Sequence, residues 1–427
     1  GNNPAADNAE ITAVASGTLP NGKPVIVNAD GTVSVVAETA ISQALGSAVV
    51  FESATTGFVA SAYDASTGKV VIAYQDGGNS NYGTAVVATI SGTSISFGTP
   101  VVFLSGNTLY LDGTYHSGAG KVVFAFRDNA GSGYPTAIVG TVSGTTISFG
   151  TKGSYGDAYI EDTCVVYSPS ANKIVMSWRG AGGVGTTAVG TVSGTSISFA
   201  GYSTFSSGGI RYPQMVYDTA SQKIVIAFIG STSPETARAR VGTVGSSVSW
   251  GAEATFQNSA NVGGIDIACD STNGKLVIIY YLPSNSYYGT AIVGTVSGTT
   301  ISFGSSVVFS SADTRTQSVT YDSDSGKIVA TYYVTSNGNY GELITGTVSG
   351  TTISFDTAVT FSSSSTNYIT SAFDSGTNRV SIAYSNVGSA SYGTAIVLRN
   401  ASTVPNLTAE NYIGMSSGAV TTGTSSQ

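Results

Sequence analysis

Residues 289–309 read GTAIVGTVSGTTISFGSSVVF. Valine, isoleucine, threonine and aromatics alternate with small residues, the period-2 pattern of a pleated strand with two faces to satisfy. Ser297-Gly298 divides the stretch with small residues that accept the dihedral angles of a tight hairpin. Just upstream, IDIACD (265–270) and KLVIIYY (275–281) read as two further strands joined through a turn with Asp and Gly. Four antiparallel strands, a to d, therefore fill about 50 residues.

The segment recurs seven times. The basic residue closing each a–b turn is Lys69, Lys121, Lys173, Lys223, Lys275, Lys327 and Arg379, at steps of 52, 52, 50, 52, 52 and 52. Four strands per repeat at this period predict an all-β, seven-bladed β-propeller of four-stranded antiparallel blades. The ISFG…VVF phrase is missing after the last strand c, GTAIVLRN (393–400), while its terminal half stands near the other end as GSAVVFES (46–53). An N-terminal strand is thus expected to complete the last blade and leave no open edge. The chain divides accordingly into an N-terminal arm with a small hairpin (1–45), the repeats (46–400) and a C-terminal tail (401–427).

Composition narrows the function. Of 427 residues only 9% are charged, and the net charge of −8 argues against a polyanionic partner, so nucleic acid is not expected. There is no apolar run of roughly 20 residues, hence no membrane-inserting helix. Two cysteines exclude a disulfide scaffold and one histidine a His-rich metal site; no metal and no cofactor are expected. Cys164 and Cys269 fall in strand a of different repeats and read as separate buried thiols.

Rings that recur once per repeat, such as Tyr74, Phe126, Trp178 and Tyr280 on strand b, are accounted for as packing between repeats. The two ends of the repeat differ. The a–b and c–d turns hardly vary, and an Asp five residues before a Lys predicts a turn held by the carboxylate on backbone N–H groups. Asp322-Ser323-Asp324 could be taken for a calcium loop, but the sister turns lack the second Asp. At the variable end, b–c loops place Tyr82, Tyr134, Tyr288, Tyr340 and Tyr392 before the return strand. The d–a loops place Phe58, Tyr110, Tyr212 and Tyr368 five residues before the end of strand a, and Arg127, Arg179, Arg211, Arg238 and Arg315 fall near the same rim. Tyrosine among Gly, Ser and Asn offers flat stacking surface beside adaptable hydrogen-bonding groups, so the nine aromatic residues with Arg127, Arg179 and Arg211 are the candidate ligand-binding set.

Catalysis has little to work with. His116, the one histidine, stands where sister turns have Asp and reads as a turn residue. Asp157, Glu161 and Asp162 form the one carboxylate cluster to consider for glycoside hydrolysis. No catalytic residue is assigned and no enzyme activity is expected.

LPNGKPVIVNADGTVSVV (19–36) and LTAENYIGMSSGAV (407–420) resemble connecting segments of tail-fibre and other virion-associated proteins of marine tailed phages. The resemblance implies an extracellular, virion-surface adhesion protein that binds a host glycan or protein and meets other virion proteins through residues 1–45 and 401–427. Two alternatives stand beside it: a purely structural fibre or capsid subunit assembling through its arms, and a secreted cellular lectin.

Overall fold

The repeated turns form as their spacing predicts. In the computed structural model, which describes residues 13–21, 23–131, 133–156, 160–231, 235–258, 262–405, 412–415 and 425–426, the Asp64 carboxylate accepts the Ser66 N–H at 2.9 Å. Asp218, Asp270, Asp322 and Asp374 hold their own turns in the same way. His116 substitutes for the carboxylate, with Nδ1 accepting the Ala119 N–H at 3.1 Å. The second Asp of the suspected calcium loop is spoken for, since Asp324 accepts the Asn378 amide at 2.8 Å.

Each turn delivers a buried second strand, such as Lys69–Asp76 or Lys275–Leu282, which pairs on both sides. Its aromatic residue points into the core: Tyr74, Phe126, Trp178, Phe228, Tyr280, Tyr332 and Tyr384 are all buried. Neighbouring repeats pack face to face. Val71, Ala73 and Val87 of the first meet Phe124, Phe126 and Ile138 of the second. The first repeat also packs on the seventh, where Val70, Ile72 and Val86 share a cluster with Ala383, Ala395 and Val397. Cys164 is a buried free thiol and Cys269 a half-buried one.

The hydrogen-bonded sheets correct the expectation of a closed seven-bladed propeller. Among the described residues the repeats form one 21-stranded and one 8-stranded antiparallel sheet, both open, and no sheet closes into a barrel or propeller. The reason is how long strands are shared. Val101–His116 begins against Tyr82–Ser91 and, from Thr108 on, pairs with Lys121–Asp128, so the ladder passes from repeat to repeat along one strand. Val49–Asp64, Ser196–Asp218, Val307–Asp322 and Val359–Asp374 do the same. At two junctions shorter strands take over, Gly153–Ser154 before Glu161–Ser168 and Ala254–Gln257 before Gly263–Asp270, and the ladder stops. The segment near the N-terminus pairs with the last repeat strand, Ala44–Leu45 and Val49–Asp64 lying beside Tyr392–Arg399.

The chain separates into two compact units, residues 44–400 and a smaller one assembled from 1–43 and 401–427. In the smaller unit Pro24–Val27 forms a hairpin with Val33–Val35 and takes Tyr412–Met415 on its other side. Glu38–Ile41 pairs with Ser402–Pro405. Ala15, Leu19, Val25 and Val33 supply its apolar core. Most of the LTAENYIG phrase, residues 407–411, lies outside the described residues.

Candidate functional site

The first strand of every repeat carries a β-bulge at one place, where two residues oppose one on the partner strand. The register slips between Gly57 and Ala60, Leu109 and Asp112, Glu161 and Cys164, Arg211 and Gln214, Gly263 and Asp266, Arg315 and Ser318, and Asn367 and Thr370. The leading residue of the bulge takes a left-handed conformation: Phe58, Tyr110, Asp162, Tyr212, Gly264 and Tyr368 have φ between +45° and +58°. Such angles suit glycine and disfavour bulky side chains. The connection expected to be a d–a loop is therefore a continuous bulged strand at most junctions, and the bulge aims these side chains.

Three rings come together there. The Phe58 ring lies 5.4 Å from Tyr110 and 5.2 Å from Tyr368, between centroids. Gly57 keeps the approach open, because a Cβ there would stand 2.9 Å from Gln75 Oε1 and 3.7 Å from the Tyr368 ring. The Gln75 amide donates to Asn107 Oδ1 at 2.8 Å and to the Thr108 carbonyl at 3.0 Å, fixing a polar edge beside the rings.

The surface continues past Tyr110 as a charged region. Thr163 Oγ1 donates to the Tyr110 carbonyl, and Asp162 accepts the Tyr212 N–H at 3.2 Å. Arg179 is ion-paired with Glu161, and Arg211 with Glu235. Gly264 leaves room for a ring from the adjacent strand, since a Cβ at that position would lie 2.8 Å from Tyr281. The Arg315 guanidinium sits 3.7 Å above Tyr287 and 4.7 Å from Tyr281, and pairs with Asp313 at 2.8 Å.

Electrostatics keep the phenols protonated. Burial, then the Glu161 and Asp162 carboxylates, push Tyr110 above the usual tyrosine range. Tyr212 moves the same way through burial, Tyr281 and Asp162. Both hydroxyls are hydrogen-bond donors at neutral pH. Two residues beyond the bulge point, Asp112 accepts the Gly113 and Val165 amides, at 2.8 and 2.7 Å, and Asp266 accepts those of Ile267 and Val319, both at 2.8 Å. Burial raises these carboxyls to about 6 and about 7, the amides opposing it.

Of the residues the sequence singled out, Phe58, Tyr110 and Tyr368 form the ring cluster. Tyr212, Arg179 and Arg211 adjoin it through Asp162 and Glu161, and Arg127 acts on Tyr110 through its charge. Tyr82, Tyr134, Tyr288, Tyr340 and Tyr392 open the third strands. Among the described residues none of their rings packs on the cluster. Arg238 turns to Glu253 and Thr236. Asp157 lies outside the described residues. Tyr281 and Tyr287 went unnoticed in the sequence because the repeat register favours Tyr288 in the Tyr-Tyr pair. Position 281 varies among the repeats, as Gln75, Arg127, Arg179, Ile229, Tyr333 and Ser385, and so carried no repeat signal.

No family model and no curated protein matches the chain. Among solved structures it is similar to the BP39L lectin from Burkholderia pseudomallei, with TM-score 0.59 and 9% identity over 83% of this chain and 99% of that one. It is also similar to the polysaccharide lyase Uly1, with TM-score 0.51 and 9% identity over the same shares of the two chains. At this identity the likeness carries the fold. It is a distant likeness to a bacterial lectin and a lyase, and this corrects the expectation of a phage tail-fibre or virion protein, for which neither comparison offers support.

Proposed function

We propose that the chain is an extracellular carbohydrate-binding protein that holds a saccharide on the bulge cluster without transforming it. One observation carries the reading. The bulge itself does not require a ring, because Asp162 and Gly264 form it equally well. Glycine would be least strained there, yet Phe58, Tyr110, Tyr212 and Tyr368 keep bulky side chains in a left-handed conformation. Strain retained at a surface where rings converge points to use. The pyranose face of a sugar is apolar and its rim is hydroxylated, which suits aromatic rings flanked by amides and carboxylates.

The lectin among the fold neighbours supports binding, and the lyase leaves chemistry to be argued from the residues. The raised pKa of Tyr110 and of Tyr212 disfavours either as a general base near neutral pH. His116 is engaged in a turn and is itself buried.

Glycan-array binding of the full chain tests the reading. Phe58→Ala, Tyr110→Ala and Tyr368→Ala should each weaken binding at least about tenfold, or about 1.4 kcal/mol, with the melting transition retained. Retention of no glycan by the parent protein would refute the function, and equal binding by all three variants would refute the site.

A further inference from the structure

Resting on the saccharide reading, we infer that this site selects neutral saccharides and rejects acidic ones. The ring cluster and its polar edge, Phe58, Tyr110, Tyr368, Gln75 and Asn107, carry no charge. Beyond them the arginines are matched. Arg179 is held by Glu161, Arg211 by Glu235 and Arg315 by Asp313. Arg127 and Asp162, both acting on the Tyr110 hydroxyl, bring the tally among these residues to four cations and four anions.

A guanidinium already paired with a carboxylate presents little net field. A uronate or sulfate brought to it must break that pair or sit against a second anion. A sugar hydroxyl meets no such obstacle, because it can donate to the carboxylate and accept from the guanidinium of one pair. The pairs therefore serve as hydroxyl readers and as a barrier to anions.

The experiment is titration of the full chain with oligosaccharides of four to six residues, one series neutral and one uronate-bearing or sulfated, at 50 and 500 mM salt. The expected result is binding of neutral members, changed less than about twofold by salt, and at least tenfold weaker binding of the acidic series. Glu161→Gln and Glu235→Gln together should release two arginines, raise affinity for the acidic series at least about fivefold, and make it salt-sensitive. Binding confined to acidic members, weakening as salt rises, would overturn the selectivity and leave the saccharide reading intact. Binding of neither series would overturn the saccharide reading itself. A double variant that gains nothing toward acidic members would remove the paired carboxylates from the explanation.

Discussion

Gly98 lies against the carbonyl oxygen of Thr145 so closely that a Cβ built on it would stand 1.8 Å from that oxygen. The contact locks the outer edge of one repeat onto the hairpin turn of the next. It recurs at Gly46 with Thr93, Gly150 with Thr195, Gly251 with Thr299 and Gly304 with Thr351. The sixth repeat has Asp356 in this place, with the same backbone bond to the third strand, Asp356 N–H to the Thr345 carbonyl at 2.9 Å. Its successor ends at Asn400, before such a turn could form. A side chain is tolerated where no carbonyl arrives. Gly98→Ala should therefore destabilise the fold by about 1–3 kcal/mol or more, through forced displacement of the Thr145 turn. Asp356→Ala, which loses only half-exposed bonds to Thr345 and Lys327, should change it by less than about 1 kcal/mol. Urea unfolding of both variants checks the contrast.

Tyr212 separates strain from use. The residue is 44% exposed and its backbone sits at φ +50°. Tyr212→Gly should leave stability unchanged or raise it by up to about 1 kcal/mol as the left-handed strain is relieved. The same change should weaken saccharide binding. A loss of both together would mean that the ring is a packing element.

Asp112 and Asp266 make stability depend on pH. Their folded pKa values, about 6 and about 7, lie above the ordinary Asp value of about 3.9. The folded state then binds more protons than the unfolded state, so the contribution of these groups is fully present below pH 4 or so and is lost as pH rises through 6 and 7. Between pH 4.5 and 8 the melting temperature should fall. Asp266→Asn should show a shallower fall, at the expense of one accepted amide. An identical slope in the variant would contradict the assignment.

His116 should matter to the turn and not to the ligand. Burial lowers its imidazole pKa, and the neutral Nδ1 is the acceptor for Ala119. Its contribution is therefore present above the unfolded histidine pKa, near 6.5, and is lost as pH falls through the lower folded value. His116→Asp, which restores the acceptor of the sister turns, should fold well and lose this acid sensitivity. His116→Leu should cost about 1 kcal/mol, as for a lost capping acceptor. Saccharide binding should be the same in both, read by titration.

Alternation of branched and small residues at a constant step, with an Asp-led turn before each buried strand, determined the all-β repeat, its seven copies and the core rings at Tyr74 and its equivalents. Those features are local or periodic, and a single sequence displays both. It also made Phe58, Tyr110, Tyr212 and Tyr368 conspicuous, but as members of loops. Only the tertiary structure decided that they ride on bulges inside long shared strands, because a bulge is defined by the opposing strand and leaves no mark in composition. Hydrogen bonding likewise decided that the sheets are open, since the ladder stops where short strands, Gly153–Ser154 and Ala254–Gln257, stand in place of a shared long one. The pairing of Arg179 with Glu161 and the ring of Tyr281 over Gly264 join neighbouring strands of one repeat, and Arg315 meets Asp313 two residues away, so these contacts followed from where each side chain stands on the folded strands.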